Sequence, residues 1–268
     1  KSELSKYVHL TSVREKPKQI YTLNEGRFLS NDYYGLLREY DKDDHKVGVL
    51  LFAEHFDFDN EIKLIENVQG VPVDSLSSFI NHFLKKLELA DSIELEKDSY
   101  SGFLKFKSFN SNTFSNLANA SSGLLQILPI ISTSFFVPNL DKVFSKYIRL
   151  IEQPELHLHP KLQAMLAEFF CHKALRDRTF IIETHSEHFI RKIQVLIAKS
   201  DQEKSHQDLK DRVGVYYFQK DKDTGQTSVK EMQMEDNGFF KEPWPDGFFD
   251  EASDLAYALL EAQINRKN

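Results

Sequence analysis

The sequence predicts an α/β fold with parallel core strands, preceded by an α+β segment and followed by a hairpin and a terminal helix. Three patterns carry this reading. Between residues 121 and 198, helical and strand-like apolar runs alternate in tight succession, which implies a parallel sheet with right-handed crossovers. Before residue 110 the order is irregular, with one clear amphipathic helix and one hairpin. After residue 205 a second hairpin leads into a final helix.

Each element has a local cause. YVHLTSV (7–13) reads as a short strand, and NDYYGLLREY (31–40) as a helix opened by an Asn or Asp cap. Val73, Leu76, Phe79, Ile80, Phe83, Leu84 and Leu87 recur at helical spacing, with Asp74 or Ser75 as cap. SIELEKDSYSGFLKFKSF (92–109) alternates apolar and polar residues around Tyr-Ser-Gly, a hairpin pattern. A helix over 122–135 leads to the strand KYIRLIE (146–152). Pro160 suits the first turn of a helix running to about Ala174, because no amide bond is lost there. RTFIIET (178–184) reads as a buried strand. SEHFIRKIQVLIA (186–198) places Phe189, Ile190, Ile193, Leu196 and Ile197 on one helix face. Residues 211–234 form a hairpin turning at Asp223-Thr224-Gly225, and the last helix runs to about Ile264. The expected division is 1–110, an α+β segment; 111–205, the core lobe; and 206–268, the C-terminal hairpin and helix.

Composition narrows the class. The chain has 268 residues, 41% hydrophobic and 28% charged, a globular balance, and its 22 phenylalanines promise a sizeable core. The formal charge of -7 does not point to nucleic acid as a partner, although a local basic groove stays compatible with it. Cys171 is the only cysteine, which excludes an internal disulfide and a cysteine-rich zinc site and suits the reducing cytoplasm. The longest apolar tract, Gly123 to Val137, is too short and too polar for a membrane span. The first residue is Lys1, which hints at a piece of a longer protein.

The chemistry lies at the strand ends, where ligands collect in parallel sheets. One strand ends in IEQPELHLHP (151–160), the next in ETHSEH (183–188). An apolar run followed by Glu152 and Gln153 resembles the Walker B segment of P-loop ATPases. Thr184-His185 resembles the switch histidine of ABC-type ATPases, and NASSGLLQ (119–126) a degenerate ABC signature loop. Small residues opening a helix offer free amides and its positive end, which suit a phosphate.

Together these motifs resemble the AAA/ABC-type ATPases related to the overcoming-lysogenization-defect and SMC groups. QILPII, YVHLTSVREKPKQIY and WPDGFFDE resemble the branch that ends in a C-terminal domain of unknown function. The resemblance implies the C-terminal lobe of an ABC/SMC-like P-loop ATPase, using ATP and Mg²⁺. It implies that Glu152 helps hold Mg²⁺ through water, that Gln153 orients the attacking water, and that His185 senses the γ-phosphate. Ser121, Ser122 and Gly123 would meet the nucleotide in a closed homodimer. It also implies a role in DNA repair or antiphage defence, often beside a nuclease partner.

Two departures stand out. A P-loop needs G-x-x-x-x-G-K-[ST], and none of the ten glycines precedes a lysine. The expected partner is therefore an N-terminal P-loop lobe, without which this chain is expected to be inactive. Gln153 occupies the place of a water-orienting Glu and cannot accept a proton at neutral pH, which leaves Glu155 or the phosphate to take it.

Other readings compete. His157 and His159, joined by His185 and Glu183, would suit a metal-dependent hydrolase. Asp221 and Asp223 resemble the paired aspartates of a Toprim nuclease but fall in a turn. Gln153 also fits a catalytically silent interaction module. Independently, Ser121, Ser122 and Gly123 also read as a simple helix cap. Trp244, Phe248 and Phe249 read as core beneath the tail.

Overall fold

In a computed structural model, the structure describes residues 7–10, 21–22, 76–97, 101–135, 148–172, 175, 178–200, 209–245, 249 and 251–265. The helix expected over 31–40, the caps Asp74 and Ser75, and Phe248 lie outside the described residues. The chain divides into two units, Lys1–Phe189 and Ile190–Asn268.

In the first unit, β1 (Tyr7–Leu10), β6 (Ile148–Glu152) and β7 (Thr179–Glu183) form a sheet in the order β1-β6-β7, all parallel. This is the parallel core of the expected α/β fold. A second, antiparallel sheet holds β2 (Tyr21–Thr22), β3 (Ser92–Lys97), β4 (Ser101–Lys107) and β5 (Phe114–Asn116). The β3–β4 hairpin has the register that its alternation calls for, with Leu95 opposite Leu104 and Ile93 opposite Phe106.

Helix α1 (Leu76–Lys86) packs against β3 and against α2 (Ser122–Phe135). Its period places Phe79, Ile80, Phe83, Leu84 and Leu87 in the core, all but fully buried. Asn81 fixes the register of helix on sheet: its Oδ1 accepts from the Ile93 amide (2.8 Å) and its Nδ2 donates to the Ile93 carbonyl (3.3 Å). Helix α2 runs through Pro129, which removes one backbone donor. Buried Ile127, Leu128, Ile130 and Ile131 hold it in place. Ser132 and Ser134 donate their hydroxyls back to the Leu128 and Ile130 carbonyls.

Helix α3 (Pro160–Phe170) starts at Pro160 as the sequence requires, but stops four residues before the expected Ala174. Cys171 caps it, and the His172 amide turns back to the Phe169 carbonyl (3.0 Å), tightening the last turn. Phe83 of α1 touches Phe169 of α3 with ring centroids 4.9 Å apart. Phe169 meets Phe170, which meets Phe180 of β7 at 5.1 Å and Phe189 at 6.0 Å. This aromatic chain links α1 to the strand that ends in the candidate histidine.

β7 departs from the expected buried strand. Ile181 is 56% exposed, and Thr179 and Glu183 point the same way. Residues in register on adjacent strands share a face, so Ile148, Leu150 and Glu152 of β6 lie beside Thr179, Ile181 and Glu183. That face is open at Ile148 and Ile181, while Arg149, Ile151 and Leu10 are buried. Arg149 stacks over the Phe180 ring at 5.7 Å, and burial followed by the charge of Arg178 lowers its pKa to about 10.

The second unit contains most of α4 (Glu187–Ala198), a short α5 (Leu209–Arg212), the hairpin β8 (Tyr216–Lys220) and β9 (Thr227–Glu231), and α6 (Glu251–Asn265). Trp244 sits between Phe240 (4.9 Å), Phe249 (4.7 Å) and Tyr217 (6.1 Å); Phe249 is buried as expected, while Trp244 is half-buried and not the core position the sequence suggested. Gly238 adopts φ +80°, and a Cβ there would lie 2.2 Å from the Gln194 carbonyl oxygen. Gly238→Ala is expected to destabilise this unit by more than the roughly 1–3 kcal/mol of left-handed strain alone, because backbone must also move. A thermal unfolding midpoint that does not fall would contradict this.

Asp221 closes the β8–β9 turn. Its Oδ1 accepts from the amides of Thr224 (2.6 Å) and Asp223 (2.9 Å) and from the Thr224 hydroxyl (2.9 Å). The Thr224 amide first, then its hydroxyl, then the Asp223 amide hold this carboxyl below the usual carboxylate range. A folded-state pKa below the unfolded one stabilises above the unfolded value and is lost as pH falls through the folded value. Protection of the turn amides, measured against their intrinsic exchange rate at each pH, is therefore expected to fall in acid. In Asp221→Ala it should be low already at neutral pH.

Candidate functional site

The loop between β6 and α3 is built from the strand end outward. Glu152 and Glu183 are the last residues of adjacent parallel strands and stand in register. The Gln153 amide donates to the Glu183 carbonyl (2.8 Å), which carries the ladder one residue beyond the strand. Gln153 itself has φ +42°, a conformation unusual for a side-chain-bearing residue, and this bends the chain off the sheet. Two turns follow, from the Leu156 amide to the Gln153 carbonyl (3.1 Å) and from the Leu158 amide to the Glu155 carbonyl (3.0 Å). His157 supplies a second positive φ of +62°. Pro154, Glu155 and Leu158 face inward, while His157 and His159 are exposed.

Glu155 connects this loop to the next strand end. Its Oε1 accepts from the backbone amide of His185 (2.7 Å), thirty residues on. The side chain is buried, and Oε2 has no hydrogen-bond partner among the described residues. The expectation that Glu155 takes a proton from water fits poorly with a carboxylate sealed from solvent and already engaged. The His185 side chain is exposed at the mouth of the strand, so the bond steadies its backbone and leaves its ring outward. Just beyond, Ser186 caps α4 by accepting from the Phe189 amide (3.0 Å) and donates to Gln163 Oε1 (2.6 Å). Gln163 Nε2 in turn donates to the Leu158 carbonyl (2.9 Å).

The start of α2 meets the same loop. Ser121 accepts from the Leu124 amide (3.3 Å) and so caps the helix, leaving the first-turn amides of Ser122 and Gly123 without intrahelical partners. Gly123 lies beside Leu158: a Cβ on it would be 3.4 Å from Leu158 Cδ2. Gln126, buried in the next turn, donates to the Gln153 carbonyl (3.4 Å). The first turn of α2, the Glu152-Gln153 strand end and the His185 segment are thus connected by named bonds and contacts. Glu152 is half-buried and Glu183 exposed, two carboxylates side by side at one sheet edge.

The metal-hydrolase reading is not supported. No group of three or more His, Cys, Asp or Glu side chains is gathered to hold a metal among the described residues. His159 uses Nδ1 to accept from the Lys161 amide (3.3 Å) as the N-cap of α3, and His157 sits exposed at a left-handed turn. H-x-H on a continuing strand would point both rings one way, but the chain leaves the strand at Gln153. The sequence reading missed Gln126 and the buried clasp of Glu155. Their partners lie 27 and 30 residues away, beyond any local period. Among the described residues no helix is long and apolar enough to cross a membrane.

Comparison with known proteins gives the family. Residues 21–191 match the family described as "AAA domain, putative AbiEii toxin, Type IV TA system", and residues 210–259 match "Protein of unknown function (DUF3696)". Among curated proteins none matches. Two solved structures are similar at 12% identity. One comes from work described as "Structural biochemistry of ATP-driven dimerization and DNA stimulated activation of SMC ATPases" (TM-score 0.41, covering 59% of this chain and 83% of that one). The other is the Smc head domain with an extended coiled coil bound to the C-terminal domain of ScpA from Pyrococcus furiosus (TM-score 0.40, covering 59% of this chain and 34% of that one). The resemblance carried by the strand-end motifs and by the tail is borne out at both ends, and the chain belongs to the AAA domain family described as putative AbiEii toxin, type IV TA system.

Proposed function

We propose that this chain is the lobe of an ABC/SMC-like switch ATPase that carries the signature-type helix start, the Walker B strand end and the switch histidine. The observation that supports this most is the β6–β7 register, with Glu152 beside Glu183 and the strand ends tied by the Gln153 and His185 amides. A carboxylate at a strand end and a helix N-terminus with small residues form a donor set that suits Mg²⁺ and a triphosphate. Mg²⁺ when bound would neutralise phosphate charge. Glu152 would help hold it, through water. Gln153 orients a water by hydrogen bonds, His185 meets the terminal phosphate, and the amides of Ser122 and Gly123, behind the Ser121 cap, receive phosphate oxygens.

A P-loop lobe is the required complement, since the cradle motif is absent from these 268 residues. The open sheet face at Ile148 and Ile181 is an apolar surface available to such a lobe. Nucleotide binding would close a homodimer and hydrolysis release it. The proposed setting is cytoplasmic antiphage defence or DNA repair beside a nuclease, as the resemblance of the motifs implies; the family description itself names a toxin of a type IV TA system. The proposed division remains 1–110, 111–205 and 206–268.

The test is Mg²⁺-dependent ATP binding and hydrolysis by the full-length protein, with Glu152→Ala beside it. Glu152→Ala is expected to lower turnover by about a hundredfold, on the scale of losing one electrostatic contact in a phosphoryl-transfer site. Turnover by residues 1–268 alone, at the full-length rate, would refute the two-lobe reading.

A further inference from the structure

We infer that Glu155 is a positioning residue that sets the switch histidine against the Walker B loop, an inference that rests on the nucleotide reading of this site. Four observations carry it. Glu155 is only 8% exposed. Its Oε1 receives the His185 backbone amide at 2.7 Å, at the short end of the range for an amide donor. Its Oε2 is buried with no hydrogen-bond partner among the described residues. Its own carbonyl accepts from the Leu158 amide (3.0 Å), so the residue is fixed from both sides within the loop.

A buried carboxylate with one oxygen unmatched is costly for stability, and an apolar residue of similar size would cost less. What the carboxylate provides is a direct hydrogen bond between two loops that Gln163 otherwise links only indirectly, through Ser186 and the Leu158 carbonyl. Glu155 lies two residues after Gln153, and His185 two residues after Glu183. The Gln153 amide is bonded to the Glu183 carbonyl at the root of both loops. One bond therefore ties the loops at the sheet and a second ties them two residues farther out. A displacement of the Walker B loop is carried to the backbone of His185, which is exposed. In this reading Glu155 acts through the His185 backbone amide.

The experiment is a double-mutant cycle in the full-length protein, with turnover and ATP affinity measured separately. Glu155→Ala is expected to lower kcat by about tenfold to a hundredfold, the range for a small misplacement of a catalytic group, while ATP affinity changes less than about threefold. In a His185→Ala background the same change is expected to add nothing, because the group it positions is gone. Glu155→Gln keeps an oxygen acceptor for the His185 amide and is expected to restore most of the lost kcat. An additive effect of Glu155→Ala on His185→Ala overturns the proposal. So does a Glu155→Gln protein that folds but falls as far as Glu155→Ala. If Glu155→Ala does not fold, Glu155→Gln alone decides. Should the wild type neither bind nor hydrolyse ATP, the nucleotide reading fails separately. The clasp is then read from hydrogen exchange over residues 183–187: protection lost in Glu155→Ala and largely kept in Glu155→Gln supports it, and protection kept in both, or lost equally in both, overturns it.

Discussion

Replacing Gln153 by Glu is expected to raise ATP turnover of the full-length protein by about tenfold to a hundredfold. The two side chains have the same shape, and the left-handed backbone at φ +42° is held by bonds to Glu183 and Leu156 that do not involve the side chain. The fold should therefore tolerate the change. What changes is chemistry: an amide orients water, while a carboxylate also accepts its proton, and a placed general base contributes about 10²–10⁴ in rate. The gain is expected at or below the bottom of that range because Gln153 already orients the water, so only proton acceptance is added. The check is single-turnover phosphate release across pH. The gain should appear as pH rises through the carboxylate range and vanish below it. A folded Gln153→Glu protein that binds ATP and gains no rate would show that proton removal does not limit turnover. That result would favour the silent-module reading, in which Gln153 marks a site that binds without turning over.

Much of the frame was legible because its causes are local. Helix α2 spans 122–135 as expected, since a capping serine, small first-turn residues and a continuous apolar face all agree. The β6 and β7 strand ends follow from apolar runs that stop at charge. The failures have one physical origin, which is that local patterns do not say what lies across the sheet. The run Phe180-Ile181-Ile182 reads as buried on both faces, yet Ile181 is exposed because alternate residues of β7 face the open side. Pro160 announces where α3 begins, but nothing comparable marks its end, and a tightened turn at Phe169-His172 ends it early. The motif EQPE (152–155) was legible as a strand end. That its second acid is buried and bonded to the His185 amide was not, because burial of a Glu is rare enough that sequence alone argues for solvent.

Phe83→Ala is expected to give the largest loss of stability, about 3–5 kcal/mol, because a large, fully buried ring is deleted and the cavity can collapse only in part. The Phe83 ring contacts Phe79 at 4.5 Å, Phe169 at 4.9 Å, His172 at 5.2 Å and His82 at 5.3 Å. These partners come from α1 and α3 and cannot all move in without losing their own packing. Native domains are stable by only about 5–15 kcal/mol, so the loss is a large share of the total. Chemical denaturation with and without the substitution measures it, and Phe83→Leu should cost less than half as much because most of the volume is kept. The aromatic chain gives the loss a direction. Phe169 leads to Phe170 and Phe170 to Phe180 of β7, so loosening at Phe83 should reach the strand that leads into His185. Amide exchange over 179–185 is expected to quicken in Phe83→Ala well before global unfolding. Exchange there at the wild-type rate, with stability lowered as stated, would mean that α3 absorbs the cavity and that the strand end is held by its own hydrogen bonds, those of Gln153 and Glu155, rather than by the core beneath it.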